Sequence, residues 1–162
     1  MDKIVSLLTT TDGRIGRQQW WLGAILIGVI SIALMFIVSA LGLGANESSL
    51  RWTSFIIGLI LIYPAYCLGL KRRWDRDNNG LDLKILLGLS VLSSLIQTLG
   101  IGLTPTDIGN GIIVQQPAIW LNVLQLPIAV FALYVFVQLG FLKGTSGSNS
   151  YGADPLQYPE TV

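Results

Sequence analysis

Four stretches of the chain contain no Asp, Glu, Lys or Arg: Trp20–Asn46, Trp52–Leu70, Ile85–Thr106 and Ile108–Leu142. A helix crossing the hydrocarbon core of a bilayer needs about 20 mostly apolar residues, and each stretch supplies them. Backbone N–H and C=O groups in lipid must bond within their own segment, so spans of this length are expected to be helical. The pattern predicts four spans, at roughly 20–43, 52–70, 84–103 and 117–142. They are joined by GANESSLR, KRRWDRDNNG and TPTDIGNGIIVQQ. Pro64 and Pro127 are expected to kink spans two and four. Ahead of the first span, Ile4, Val5, Leu7 and Leu8 suit one turn of interfacial helix. Residues 143–162 form a tail rich in Gly, Ser and Pro, which reads as irregular.

Composition turns this pattern into a fold class. The 162 residues are 52% hydrophobic and 12% charged, whereas soluble domains carry about 25% charged residues. Mean hydropathy is +0.64. Four buried helices in a soluble protein would need a polar shell, and the residues for one are missing. The expectation is a single all-α integral membrane domain over 1–162, with four transmembrane helices arranged as two hairpins. Val38-Ser39-Ala40 suits a cleavage site, yet the first apolar block far exceeds the 7–15-residue core of a signal peptide, so an uncleaved span is expected.

Charge gives an orientation. Lys3, Arg14, Arg17, Lys71, Arg72, Arg73, Arg76, Lys84 and Lys143 fall on one side of the predicted spans, and only Arg51 falls on the other. The positive-inside rule places the basic side, with both termini, in the cytoplasm. Trp20, Trp21, Trp52 and Trp74 stand at predicted boundaries, where an indole buries its ring and keeps its N–H wet.

The candidate chemistry is concentrated in the basic segments. Arg14, Arg17, Arg72, Arg73 and Arg76 are candidates for binding an anion or a lipid headgroup, since guanidinium groups grip phosphate bidentately. Asp75 and Asp77 among these arginines would weaken such attraction. Asp75 is therefore expected to clamp the middle loop to Arg14 or Arg17. Asn78-Asn79-Gly80 reads as a turn, and Asp82 as a helix-start residue. No ionisable carboxylate, lysine or arginine falls inside a predicted span, where ion-coupled transporters place such groups. Intramembrane Ser, Asn and Gln are expected to bond between helices, with Ala24-x-x-x-Gly28 and Ala40-x-x-x-Gly44 allowing close approach. The chain has no His and a single cysteine, Cys67, which excludes Ser–His and Cys–His pairs and a Cys-based zinc site. No enzyme activity, metal, cofactor or nucleic-acid partner is expected.

Three segments taken together resemble a bacterial inner-membrane family known as domain of unknown function 805, the YhaH/YhaI-like proteins. GRIGRQQWW (13–21) resembles its Gly-Arg-x-x-Arg-x-x-aromatic-Trp motif, KRRWDRDNNG its mid-chain basic motif, and KGTSGSNSYGADPL (143–156) its C-terminal motif. Trp74 stands where the family often has histidine, and Asn79 where it often has serine. The resemblance implies the architecture and an inner-membrane location, and carries no activity with it. It also implies that the cytoplasmic loop and termini form one small folded cap. The alternation of Gly144, Gly147, Asn149, Tyr151, Gly152 and Pro155 is more particular than a linker needs, so the tail is expected to be ordered, with Asn149, Tyr151 and Asp154 joining Asp75 as clamp candidates and Tyr151 near residues 71–80. The expected role is non-enzymatic: binding anionic lipid headgroups or a protein partner through an Arg/Asp cluster, with possible homo-oligomers. The alternative is a subunit of a small oligomeric channel or transporter, lined by Gln97, Asn122 and Gln125.

Overall fold

The computed structural model describes residues 2–157, so residues 158–162 of the tail lie outside the described residues. The order is α1 (Asp2–Thr9), α2 (Arg17–Ala40), α3 (Glu47–Trp74), α4 (Leu81–Thr98), β1 (Leu103–Asp107), β2 (Ile113–Pro117) and α5 (Ile119–Gly140). Helices α2, α3, α4 and α5, of 24, 28, 18 and 22 residues, are long and apolar enough to cross a membrane. Their outward surfaces stay apolar: Ile25, Ile32, Phe36, Leu126 and Val130 are all more than half exposed. A surface of that kind is stable against lipid and unstable against water. The protein is a mostly helical, multi-pass membrane protein.

Neighbouring helices in sequence are neighbours in space, and α5 also packs on α2 and α3. Of the glycines expected to allow close approach, Gly44 does so, with a Cβ there 3.2 Å from Leu50, but the tightest contacts are at others. A Cβ at Gly23 would sit 2.5 Å from Leu68, one at Gly69 2.7 Å from Leu83, and one at Gly140 3.1 Å from Trp20. Nothing lies within 4 Å of a Cβ at Gly28, so the Ala24-x-x-x-Gly28 pair is not the contact. Ser90, Gln97 and Thr98 bond back to their own helix, whereas Gln138 accepts from Arg73 across helices.

Several boundaries differ from the sequence expectation, for identifiable reasons. Helix α3 starts at Glu47 because the Asn46 side chain accepts from Ser49 N at 2.8 Å, an N-cap inside what reads as a loop. The same helix continues through Lys71, Arg72 and Arg73 to Trp74, so the first half of KRRWDRDNNG is helix and not loop. Cations in a last turn are favoured by the helix dipole. Pro64 and Pro127 both lie within continuous helices. Span three is placed earlier than expected, at 81–98, because residues 103–117 form an antiparallel hairpin in register Leu103↔Pro117 to Asp107↔Ile113. The one turn expected near residues 4–8 is an eight-residue helix. Helix α1 packs on α3, and Tyr63 Oη donates to Thr9 O at 2.9 Å.

The starts of α2 and α4, the ends of α3 and α5, and the tail meet at one end of the bundle. The β-hairpin and the α2–α3 connection lie at the other.

Candidate functional site

The site is built around the end of α3. Once Lys71, Arg72 and Arg73 are carried into the bundle by the helix, each charge needs a partner, because burying an unpaired ion costs several kcal/mol. Most of the partners are backbone carbonyls at helix ends. The last four C=O groups of a helix have no acceptor role within it and carry the negative end of its dipole. Around the end of α5, Arg76 Nη1 donates to Gln138 O at 3.4 Å and Arg72 Nε to Leu139 O at 2.8 Å. Trp21 Nε1 donates to Gly140 O at 3.1 Å, Arg17 Nη1 to Phe141 O at 3.2 Å, and Arg72 Nη2 to Leu142 O. Five successive carbonyls are thus satisfied from α2, α3 and the turn after it. Lys71 does the same for α1, donating to Ser6 O at 2.6 Å.

Asp75 is the anion at the centre. It follows α3 directly as the C-cap residue and is nearly fully buried. Its Oδ1 accepts from Arg14 Nε at 3.2 Å and Nη2 at 3.1 Å, and its Oδ2 accepts from Arg72 Nη1. The two guanidinium side chains are 1% and 0% exposed. The ion pair is therefore made with Arg14 and not Arg17, and Arg72 is a second cation on the same carboxylate. Arg14 also donates to the carbonyls of Thr145 (2.7 Å), Gly147 (2.8 Å) and Gly152 (3.0 Å), all in the tail. A carboxylate and three tail carbonyls converge on one planar donor set, which a lysine's ammonium could not reproduce. Gly144 makes the approach possible: a Cβ there would collide with Asp75 Oδ2.

The tail folds on itself and onto the end of α3. Asn149 Nδ2 donates to Trp74 O and to Thr145 Oγ1, both at 2.8 Å, and Asn149 Oδ1 accepts from Tyr151 N at 2.9 Å. Tyr151 stacks on Trp74, ring centroids 5.1 Å apart and 8° from parallel. Trp74 and Trp21 thus serve packing within the protein, and Trp20 is buried in the core, while Trp52 stays exposed. Asp154 accepts from Leu156 N and Gly147 N, both at 2.9 Å, and these bonds hold its carboxyl below the usual aspartate value. Asp77 adopts φ +54° and accepts from Ser150 N at 3.1 Å. Positive φ in this turn falls on Asp77 and Gly80, and Asn78 and Asn79 contribute side-chain caps to the following N–H groups.

Of the arginines expected to face headgroups, Arg14, Arg72 and Arg73 are buried and engaged internally. Arg73 pairs with Asp82 in the first turn of α4 and reaches Gln138. Arg76 is partly buried, and desolvation lowers its pKa from the ordinary arginine value. Arg17 alone is exposed. It lies beside exposed Lys143 at the rim of a 210 Å³ cavity whose walls include Arg72, Asp75 and Thr145. No group of three or more His, Cys, Asp or Glu positioned for a metal occurs among the described residues. Sequence reasoning missed Lys71 and Arg72 as internal ligands of carbonyls, since their partners lie 65 to 70 residues away along the chain.

Searches of curated proteins and of solved structures found no match. A family model described as a protein of unknown function, DUF805, matches residues 8–153, a range that takes in the head motif, all the spanning helices and most of the tail. The chain belongs to the DUF805 family.

Proposed function

We propose that this protein is a non-enzymatic, multi-pass component of a bacterial inner membrane, with its basic end in the cytoplasm, where the head, the end of α3 and the tail form one rigid cap that binds an anionic phospholipid headgroup. The observation that carries this reading is the division of labour among the arginines. Asp75 and the α5 carbonyls hold Arg14 and Arg72 in the interior, whereas Arg17, which donates to Phe141 O, and Lys143 are exposed at the cavity rim. The buried charges build the platform and the exposed pair presents it. Basic residues at the inner headgroup layer attract anionic lipid with about 1 kcal/mol each. The basic-residue asymmetry supports the orientation. Of the three residues named for the channel alternative, Gln125 has its Nε2 buried without a partner among the described residues, and the other two are bonded locally. Gln97 is bonded to Ser93 and Asn122 to Pro117 O, each close by in sequence.

The purified full chain, mixed in detergent with equimolar dioleoyl phosphatidylglycerol and dioleoyl phosphatidylethanolamine, tests the cap by native mass spectrometry. Phosphatidylglycerol bound at the cap should fall about fivefold for each of Arg17→Gln and Lys143→Gln. Unchanged phosphatidylglycerol binding in the double variant would remove the lipid reading and leave the cap a purely structural unit.

A further inference from the structure

At the end of the molecule opposite Asp75, α3, α4 and the β-hairpin line a cleft of about 440 Å³. Glu47, Arg51, Gln97 and Gln115 are among its walls. It continues into an apolar groove of about 290 Å³ between α3 and α4, and Phe55 and Ser94 line both spaces. The groove follows α3 from Phe55 to Ala65. Ten residues at about 1.5 Å each give about 15 Å. That is one leaflet's depth, half of a hydrocarbon core about 30 Å thick.

The charges at the mouth form a loose pair, with the Arg51 and Glu47 side chains 29% and 53% exposed. Arg51 Nη1 lies 3.8 Å from Glu47 Oε2, beyond hydrogen-bond reach. Neither side chain makes a hydrogen bond to any described residue, and Arg51 Nε is buried without a partner. A loose i,i+4 pair explains the proximity of the two groups but leaves that buried donor bare, and a bare donor on a charged group is costly. Arg51 is also the only basic residue at this end of the chain. A polar mouth holding one cation and one anion, above an apolar slot of leaflet depth, matches a single class of molecule.

We infer that the cleft and groove together hold one zwitterionic phospholipid from the leaflet at this end. Its phosphate is held by Arg51, its ammonium by Glu47, and one acyl chain lies in the α3–α4 groove. The site is separate from the cap and does not depend on it.

The same lipid mixture and mass measurement test this site with different variants. Wild-type protein should retain one phosphatidylethanolamine in preference to phosphatidylglycerol. Arg51→Gln should lower that retention about tenfold, the scale of a lost hydrogen bond to a charged group. Glu47→Gln should abolish the preference between the two lipids. Gly58→Leu is the most informative change. Gly58 lines the groove, and a Cβ there meets nothing within 4 Å, so a leucine side chain has room to start into the slot. It should reduce retention of both lipids at this site. Equal retention of phosphatidylethanolamine by wild type and Gly58→Leu would overturn the inference. Loss of phosphatidylethanolamine in the Arg17→Gln/Lys143→Gln variant, with Arg51→Gln unaffected, would also overturn it, by moving the lipid to the cap.

Discussion

Asp75 is the residue on which most of the chemistry turns, because two buried guanidinium groups share its carboxylate. Replacing it with asparagine leaves Arg14 and Arg72 buried without a counter-ion. Breaking one side of such a pair costs about 3–5 kcal/mol, against at most about 1 for an exposed pair. Asp75→Asn and Arg14→Gln should each lower the melting temperature in detergent substantially, and Arg17→Gln should barely move it. The double change at Asp75 and Arg14 should cost less than the sum of the two single changes. Additive losses would contradict the pairing. Gly144→Ala provides an independent check. Its new methyl would collide with the Asp75 carboxylate, and overpacking of this kind costs about 1–3 kcal/mol. At this scale the sequence was informative about Asp75, since an acid among arginines has no use in attracting anions. It pointed the wrong way for Arg72, read as facing headgroups: beside Asp75 its partners are the carbonyls of Leu139 and Leu142, which leave no trace in side-chain identity.

The elements show the same split between what side chains announce and what the backbone supplies. Uncharged runs identify all four spanning helices, because lipid demands them along a continuous stretch. The ends of α3 are harder to read. Lys71–Arg73 look like a solvated loop until the carbonyls of α1 and α5 are available to receive them. The hairpin at 103–117 is obscured by Pro105 and by its Gly-Asn-Gly turn, which reads equally as loop. The tail is an ordered element with few apolar residues, held by Asn149, Asp154 and the Trp74–Tyr151 stack. Removing the stack with Tyr151→Ala should speed proteolysis of residues 143–156 in inside-out vesicles. Resistance equal to wild type would show the ring to be dispensable. Asp154 adds a pH dependence. Its folded pKa lies below the ordinary 3.8, so its carboxylate stabilises the tail above that value and the contribution is lost as pH falls through the folded value. Tail protection should be flat from neutral pH to about 4 and decline only at lower pH. In Asp154→Asn this acid-dependent step should be absent.

At the scale of the molecule, the two ends differ in kind. One collects nine of the ten basic residues and binds most of them internally; the other carries Arg51, a hairpin and an open cleft. Single cysteines at Ser48, Asn79, Asp107 and Ser148, in a Cys67→Ala background, test this arrangement most directly when probed with an impermeant thiol reagent on intact cells with opened outer membranes. Positions 48 and 107 should be labelled from outside, and positions 79 and 148 only after the inner membrane is broken. Labelling of 79 or 148 from outside would contradict the account: both together would invert the protein, and one alone would separate the tail from the end of α3 and leave no cap.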